Sequence, residues 1–315
     1  MPGSLFGRLV LGVTAQPVVA SAATRMPITQ GLVHRFVAGE TLDSALAVVH
    51  SLESAGMRAA LDHLGENTST QKEAGAATEE ALSALERVAA AGFDSYVSVK
   101  LTQLGLDVGE HVAVENASRL LERAGALGAF VCIDMEGSSY TGRTVEVFSG
   151  LRARFANVGI VLQSCLYRSW RDTHELVGLG ARIRLVKGAY SEPPHIAYRR
   201  KRDTDRNFAR VMEYLLLNGS EPAIATHDDA LIEQACSFAA EQGVEKGNFE
   251  FQMLYGVRRD LQERLVRAGY RVRVYVPYGS QWYPYLTRRL AERPANLLFM
   301  AGSLAKERRA GRGTV

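Results

Sequence analysis

The chain has 315 residues, 47% apolar and 23% charged, with a formal net charge of +3. That balance suits a globular core rather than a disordered chain, and so small a charge, spread along the sequence, leaves no nucleic-acid footprint. Cys132, Cys165 and Cys236 are widely spaced and form no CxxC pair, which argues against a disulfide framework or a cysteine zinc site and for a reducing, cytoplasmic setting.

Residues 9–23 are apolar and close in Ala20-Ser21-Ala22-Ala23, in outline a secretory signal. Arg8 is the only charge before them and Pro17 interrupts them, so no signal peptide is expected. Residues 1–56 carry helical patterning at Thr29–Phe36 and Thr41–Ser54 and are expected to pack on the following domain.

From there short β-rich runs alternate with amphipathic helical stretches. The strands are expected at Met57–Leu64, Ser95–Leu101, Phe130–Glu136, Val158–Gln163, Ile183–Gly188, Pro222–His227, Phe249–Leu254 and Arg271–Tyr278. The helices are expected at Thr78–Ala91, Val112–Ala126, Thr144–Phe155, Asp203–Leu217, Asp229–Gln242, Asp260–Ala268 and Trp282–Arg293, with Thr78, Asp203 and Asp229 as caps. This rhythm is that of an α/β protein, a (β/α)8 TIM-like barrel with extra N-terminal helices, over residues 57–300. A doubly wound open sheet would want an early G-x-G-x-x-G turn, and the sequence has none. Residues 301–315 read as a basic, disordered tail. No apolar run is long enough to span a membrane.

In such a barrel the active site sits at the C-terminal ends of the strands. Those ends carry Lys100, then Asp134-Met135-Glu136, Gln163, Arg184 with Lys187-Gly188-Ala189-Tyr190, Thr226-His227-Asp228, Gln252, and Tyr275 with Tyr278. Polar groups gathered on one crowded rim each need partners, which stability alone does not explain. On the fifth strand Arg182, Arg184 and Val186 share a face. An inward Arg184 implies an anion or an electron-rich ring, and Gly188-Ala189 let backbone approach a large ligand. On the last helix Tyr285, Arg288, Arg289 and Glu292 share a face. That spacing fits a carboxylate clamp of two forked cations, although a salt-bridged solvent-facing helix is its commoner use.

Several chemistries suit these residues. Lys187 or Lys100 could be the amine of a Schiff-base aldolase. Asp134, Glu136, His227 and Asp228 could hold a divalent metal in an isomerase, although Asp228 or Asp229 would serve equally as a helix cap. An amino-acid-binding module without turnover is a third possibility.

Taken together, Arg184-Leu185-Val186-Lys187-Gly188-Ala189-Tyr190, Phe249–Gly256, Tyr275-Val276-Pro277-Tyr278-Gly279 and Tyr285–Asn296 resemble the proline dehydrogenase family, including the dehydrogenase domain of its bifunctional members. Val97–Lys100, Ile133–Glu136 and Ala225-Thr226-His227 add to the resemblance, which runs in order from about residue 57 to residue 299. It implies a distorted barrel holding FAD non-covalently and oxidising L-proline, with electrons passed to a quinone at the inner face of the cell membrane. It also implies functional coupling to a pyrroline-5-carboxylate dehydrogenase. Carried over, Lys100, Arg288 and Arg289 would hold the proline carboxylate and Asp134 would organise the site. Arg184 would lie beside flavin N5. Gln163, Lys187, Gly188 and Ala189 would contact the cofactor, with Met135, Thr226, His227 and Gln252 contributing. Tyr275 and Leu254 would pack on the proline ring, and Tyr190 would close over it. The connection Tyr278–Pro284 is shorter than in the bifunctional proteins.

Overall fold

The computed structural model describes residues 35–190 and 192–292. The segment 9–23, most of Thr29–Phe36, the end of the Tyr285–Asn296 motif and the basic tail lie outside the described residues.

Eight parallel strands close into a barrel in sequence order. They are β1 (Arg58–His63), β2 (Tyr96–Val99), β3 (Val131–Ile133), β4 (Val158–Gln163), β5 (Arg182–Val186), β6 (Ala223–Ala225), β7 (Glu250–Leu254) and β8 (Arg271–Tyr278). The barrel closes on the β1–β8 seam, where Ala60 pairs with Tyr275 and Asp62 with Pro277. The (β/α)8 expectation is thus met. Several strands are shorter than the sequence suggests, so Lys100, Asp134, Glu136, Gly188, Thr226 and His227 fall just past the strand ends, where loops can aim them.

Period-2 alternation splits each strand between two environments. Leu61, Val97, Val99, Val131, Ile133, Ile183, Leu185, Ile224, Phe251, Met253, Val272 and Val274 belong to the buried apolar layer. Their alternates, including Asp62, Ser98, Arg184, Glu250, Gln252 and Arg273, are also buried but polar. Hydrogen bonds from Arg184 on β5 to Tyr96 and Ser98 on β2 cross the barrel, which places this second set in its interior.

The helices are α1 (Leu42–Ser54), α2 (Gln71–Ala90), α3 (Glu110–Ala126), α4 (Ser138–Arg152), α5 (Ser169–Gly178), α6 (Lys201–Asn218), α7 (Asp229–Glu241), α8 (Arg259–Arg267) and α9 (Trp282–Glu292). Helix α1 lies within the expected Thr41–Ser54 stretch, is capped by Thr41 and packs on β1 and β8. The expected caps Thr78, Asp203 and Asp229 need correction. Helix α2 starts at a capping box of Thr70 and Glu73. Thr78 is buried mid-helix, with its hydroxyl donating to the Ala74 carbonyl at 2.8 Å. Asp203 lies in the first turn of α6, and Asp228, not Asp229, caps α7 by accepting from Ala230 N. Helix α5 was not anticipated.

Residues Val37–Ser280 form one compact unit, the barrel with α1–α8; Arg35, Phe36 and 281–292 belong to a second. In that second unit Trp282, Tyr285 and Leu286 are buried, and the Thr287 hydroxyl donates to the Pro284 carbonyl at 2.9 Å. Among the described residues no helix is long and apolar enough to cross a membrane.

Candidate active site

The Asp134 carboxylate is the hub of the rim. Its backbone N–H donates to the Val99 carbonyl at 2.8 Å, extending the β2–β3 ladder and fixing the side chain's origin. Oδ1 accepts from Ser98 Oγ at 2.8 Å and from Arg184 Nη1 at 2.7 Å, while Oδ2 accepts from Tyr275 OH at 2.6 Å. Burial, reinforced by Asp134, pushes the Tyr275 phenol well above its ordinary range, so it stays a neutral donor.

Beside this hub Lys100 Nζ donates to Asp62 Oδ1 at 2.7 Å, with both residues buried. Burial works against the ammonium charge, but Asp62 and Asp134 outweigh it and hold Lys100 above its usual range. A permanently protonated Lys100 is the reverse of what a Schiff-base amine requires. Tyr190 lies within electrostatic reach of Lys100.

Arg184 is buried across the barrel. Its Nη2 donates to Tyr96 OH at 3.1 Å and Ser98 Oγ at 3.0 Å, and its guanidinium lies 5.3 Å from the Tyr275 ring centroid. Its Nε is buried and without a hydrogen-bond partner. Arg182, by contrast, pairs with Glu221 at 3.0 Å and lies over the Phe130 ring.

Gly188 has φ +112, a left-handed value that suits glycine, and a Cβ there would sit 2.3 Å from Cys165 Sγ. The close approach at Gly188 is thus to the Cys165 side chain. Gln163 is buried and donates to the Glu136 carbonyl at 2.9 Å. Lys187 turns to Asp205 at 2.6 Å and Asp228 at 2.8 Å; Lys201 bridges the same two carboxylates. Thr226 Oγ1 accepts from Asp228 N at 3.2 Å, and His227 Nε2 accepts from Leu254 N at 2.9 Å, which fixes the neutral tautomer with its proton on Nδ1. Met135 is buried; Ala189 and Leu254 are half-buried. Gln252 lies below the rim, bonded to Tyr96 and Glu250.

The loop that carries Tyr190 is tied to its neighbours. Tyr167 N donates to Ile196 O at 3.0 Å and Tyr198 N to Cys165 O at 2.8 Å, making an antiparallel bridge between Leu166 and Ala197. Glu192 accepts from Ser138 N at 3.0 Å, at the start of α4.

The four residues of the metal reading do not converge. Asp134 serves Arg184 and Tyr275, Asp228 serves Lys187 and Lys201, and His227 serves the β7 backbone. Glu136 accepts from the Thr102 hydroxyl at 2.5 Å. The side chains of Arg288 and Arg289 lie outside the described residues, although their backbone is helical in α9. Asp62, Ser98 and Tyr96 were not anticipated.

A family model described as proline dehydrogenase matches residues 45–302. The chain belongs to the proline dehydrogenase family. A proline dehydrogenase of Deinococcus radiodurans is 41% identical over 311 residues, covering 97% of this chain and all of that protein (100%). Proline dehydrogenase 1 of Bacillus subtilis strain 168 is 40% identical over 273 residues, covering 87% of this chain and 90% of that one. Among solved structures, proline utilization A of Bdellovibrio bacteriovorus, inactivated by N-propargylglycine, superimposes with a TM-score of 0.80 at 28% identity. That match covers 92% of this chain and 35% of the larger protein, so this proline dehydrogenase family member spans about a third of the bifunctional chain.

Proposed function

We propose that this chain oxidises L-proline to 1-pyrroline-5-carboxylate with non-covalently held FAD. The observation that carries the reading is the rim cluster in which Asp134 binds Arg184 and Tyr275 while Arg184 Nε is buried and lacks a protein acceptor. A buried N–H without a partner is costly, and an electron-rich ring edge at that point would satisfy it. Gly188, at φ +112 and with Cys165 Sγ where a Cβ would stand, packs the turn after β5 against Gln163 and Cys165, and the cofactor would lie along that turn. Arg184, Gln163 and the Lys187–Ala189 backbone would hold the cofactor, with Met135, Thr226 and His227 alongside.

When bound, the flavin supplies the two-electron acceptor, taking hydride from the ring carbon beside the proline nitrogen. The protein does the rest. Lys100 would grip the carboxylate, a role that the family resemblance also gives to Arg288 and Arg289. The same positive charge favours the neutral ring amine, whose lone pair must be free to form the imine. Tyr275 and Leu254 pack on the unsubstituted ring and exclude water. Tyr190 closes beside Lys100. Arg184, backed by Asp134, offers a fixed positive charge where the reaction deposits negative charge. Electrons would pass on to a quinone at the membrane face, and the imine would be consumed by a pyrroline-5-carboxylate dehydrogenase.

The purified protein should be yellow, bleach when proline is added without oxygen, and reduce a dye acceptor at the expense of proline. A colourless protein that borohydride inactivates in the presence of a carbonyl substrate, or one whose activity is lost to a chelator, would overturn this assignment in favour of the aldolase or the isomerase.

A further inference from the structure

Beneath the rim, the barrel interior holds a second column of buried polar side chains that no step above uses. Tyr96 OH accepts from Arg184 Nη2 at 3.1 Å and from Gln252 Nε2 at 2.8 Å. The other amide hydrogen of Gln252 goes to Glu250 Oε1 at 2.5 Å. Glu250 accepts from Arg273 Nε at 2.9 and 3.2 Å, and Arg273 Nη1 donates to the Ala59 and Asp94 carbonyls at 2.9 and 3.0 Å. The Arg273 guanidinium also lies 4.3 Å from the Tyr96 ring centroid. Tyr96, Gln252, Glu250 and Arg273 are all buried.

We infer that Tyr96, held by Gln252 and the Glu250–Arg273 pair, is a positioning residue that fixes the tilt of the Arg184 guanidinium and so the aim of its Nε. The inference rests on the reading that Arg184 faces the flavin. Each bond in the column allows one arrangement. Two donors occupy both lone pairs of the phenol oxygen. Flipping the Gln252 amide would turn its oxygen toward the Glu250 carboxylate, so the amide is locked as well. On the rim side, Nη1 is held by Asp134, while Nη2 donates to two hydroxyls, Ser98 Oγ and Tyr96 OH, the former donating in turn to Asp134. Without the phenol oxygen Asp134 and Ser98 still hold one edge of the guanidinium, but nothing beneath it opposes a tilt about the line joining those two contacts. Simple filling of the barrel does not account for the column. Branched apolar side chains usually fill such layers, and a buried ion pair seldom improves on them for stability.

The test compares the flavin-loaded parent with Tyr96→Phe, which keeps the ring and deletes the oxygen, and with Gln252→Leu, which removes the support beneath it. For each, kcat and KM for proline, the visible spectrum and midpoint potential of the bound flavin, and the thermal midpoint are measured. Both variants are expected to fold and keep flavin. Their kcat should drop by about tenfold, with KM for proline little changed, a perturbed flavin spectrum and a lower midpoint potential. Unchanged kcat and potential overturn the inference, and so does lost thermal stability with the catalytic and redox values intact, because the column would then be structural only. A parent that holds no flavin and does not oxidise proline sinks the functional reading itself; an active parent with parent-like variants sinks the inference alone.

Discussion

At the N-terminal ends of the strands, arginines and carboxylates alternate in one continuous chain. Arg58 meets Asp94 at 2.6 Å and Asp94 meets Arg273 at 3.9 Å. Glu250 joins Arg273 at 2.9 Å to Arg271 at 3.9 Å, and Glu221 joins Arg271 at 3.7 Å to Arg182 at 3.0 Å. At the C-terminal ends the same residue types meet in separate knots, Lys100 with Asp62, Arg184 with Asp134, and Lys187 and Lys201 with Asp205 and Asp228. On the floor each of those carboxylates lies between two arginines, so the charges consume one another. Arg271 Nε there lacks a partner too, yet its other nitrogens reach Glu221, Glu250 and the Gly247 carbonyl. On the rim the pairs are separate in direct contact, although Asp134 also acts on Lys100, and Arg184 Nε is left without a protein acceptor. One fold thus arranges buried charge as a continuous chain at one end and as short local pairs at the other.

The largest effect expected from disturbing this contrast is at Asp134. Asp134→Ala strips one acceptor from Arg184, Tyr275 and Ser98 together. The kcat/KM for proline should fall on the order of 10²- to 10³-fold, and denaturant unfolding should show a loss of roughly 3–5 kcal/mol from the uncompensated Arg184. A variant within twofold of the parent in both would erase the distinction between the two ends.

A floor substitution should cost stability first. Arg273→Leu strands the buried Glu250 carboxylate, at roughly 3–5 kcal/mol in urea unfolding, and adding Glu250→Leu should recover most of that loss. Failure of the double variant to recover would mean the alternating chain acts as an indivisible unit.

The smallest effect separates the rim knots by pH. Burial opposes ionisation of Asp228, but hydrogen bonds from Lys187 and Lys201 hold its carboxyl down at about 2, below its ordinary 3.8. The ionised form therefore contributes stability that is fully present well above pH 3.8 and fades as pH falls toward 2. Asp228→Asn should be less stable than the parent near neutrality, with the difference in urea midpoint vanishing in strong acid. A difference that persists there would assign the effect to the α7 cap rather than to charge.

The barrel was legible because strand and helix periods alternate regularly over most of the chain. Arg184 was legible because a long cation in an otherwise apolar strand demands a reason. The interior was less so. On β7 the run Glu250-Phe251-Gln252-Met253-Leu254 alternates like a strand with one face in water, and nothing in the alternation says that its polar face looks into a barrel. Glu250 and Arg273 were missed for that reason, and the bonds of Gln252 to Tyr96 and Glu250 were not foreseen. Asp62 could have been found: an acid inside Ala59-Ala60-Leu61-Asp62 poses the question Arg184 posed. Thr70-Gln71-Lys72-Glu73 is likewise a visible capping box, whereas α5 is short, and its buried Asp172 is satisfied by Arg168 at 2.5 Å rather than by an apolar stripe.

The bridge between Leu166 and Ala197 has a mechanical consequence. The segments after β4 and β5 share backbone bonds, so they form one plate hinged on both strands. A displacement of residues 196–198 must carry residues 165–167 along or break two amide hydrogen bonds. Since Cys165 abuts Gly188, the turn that leaves β5 is coupled to the same plate.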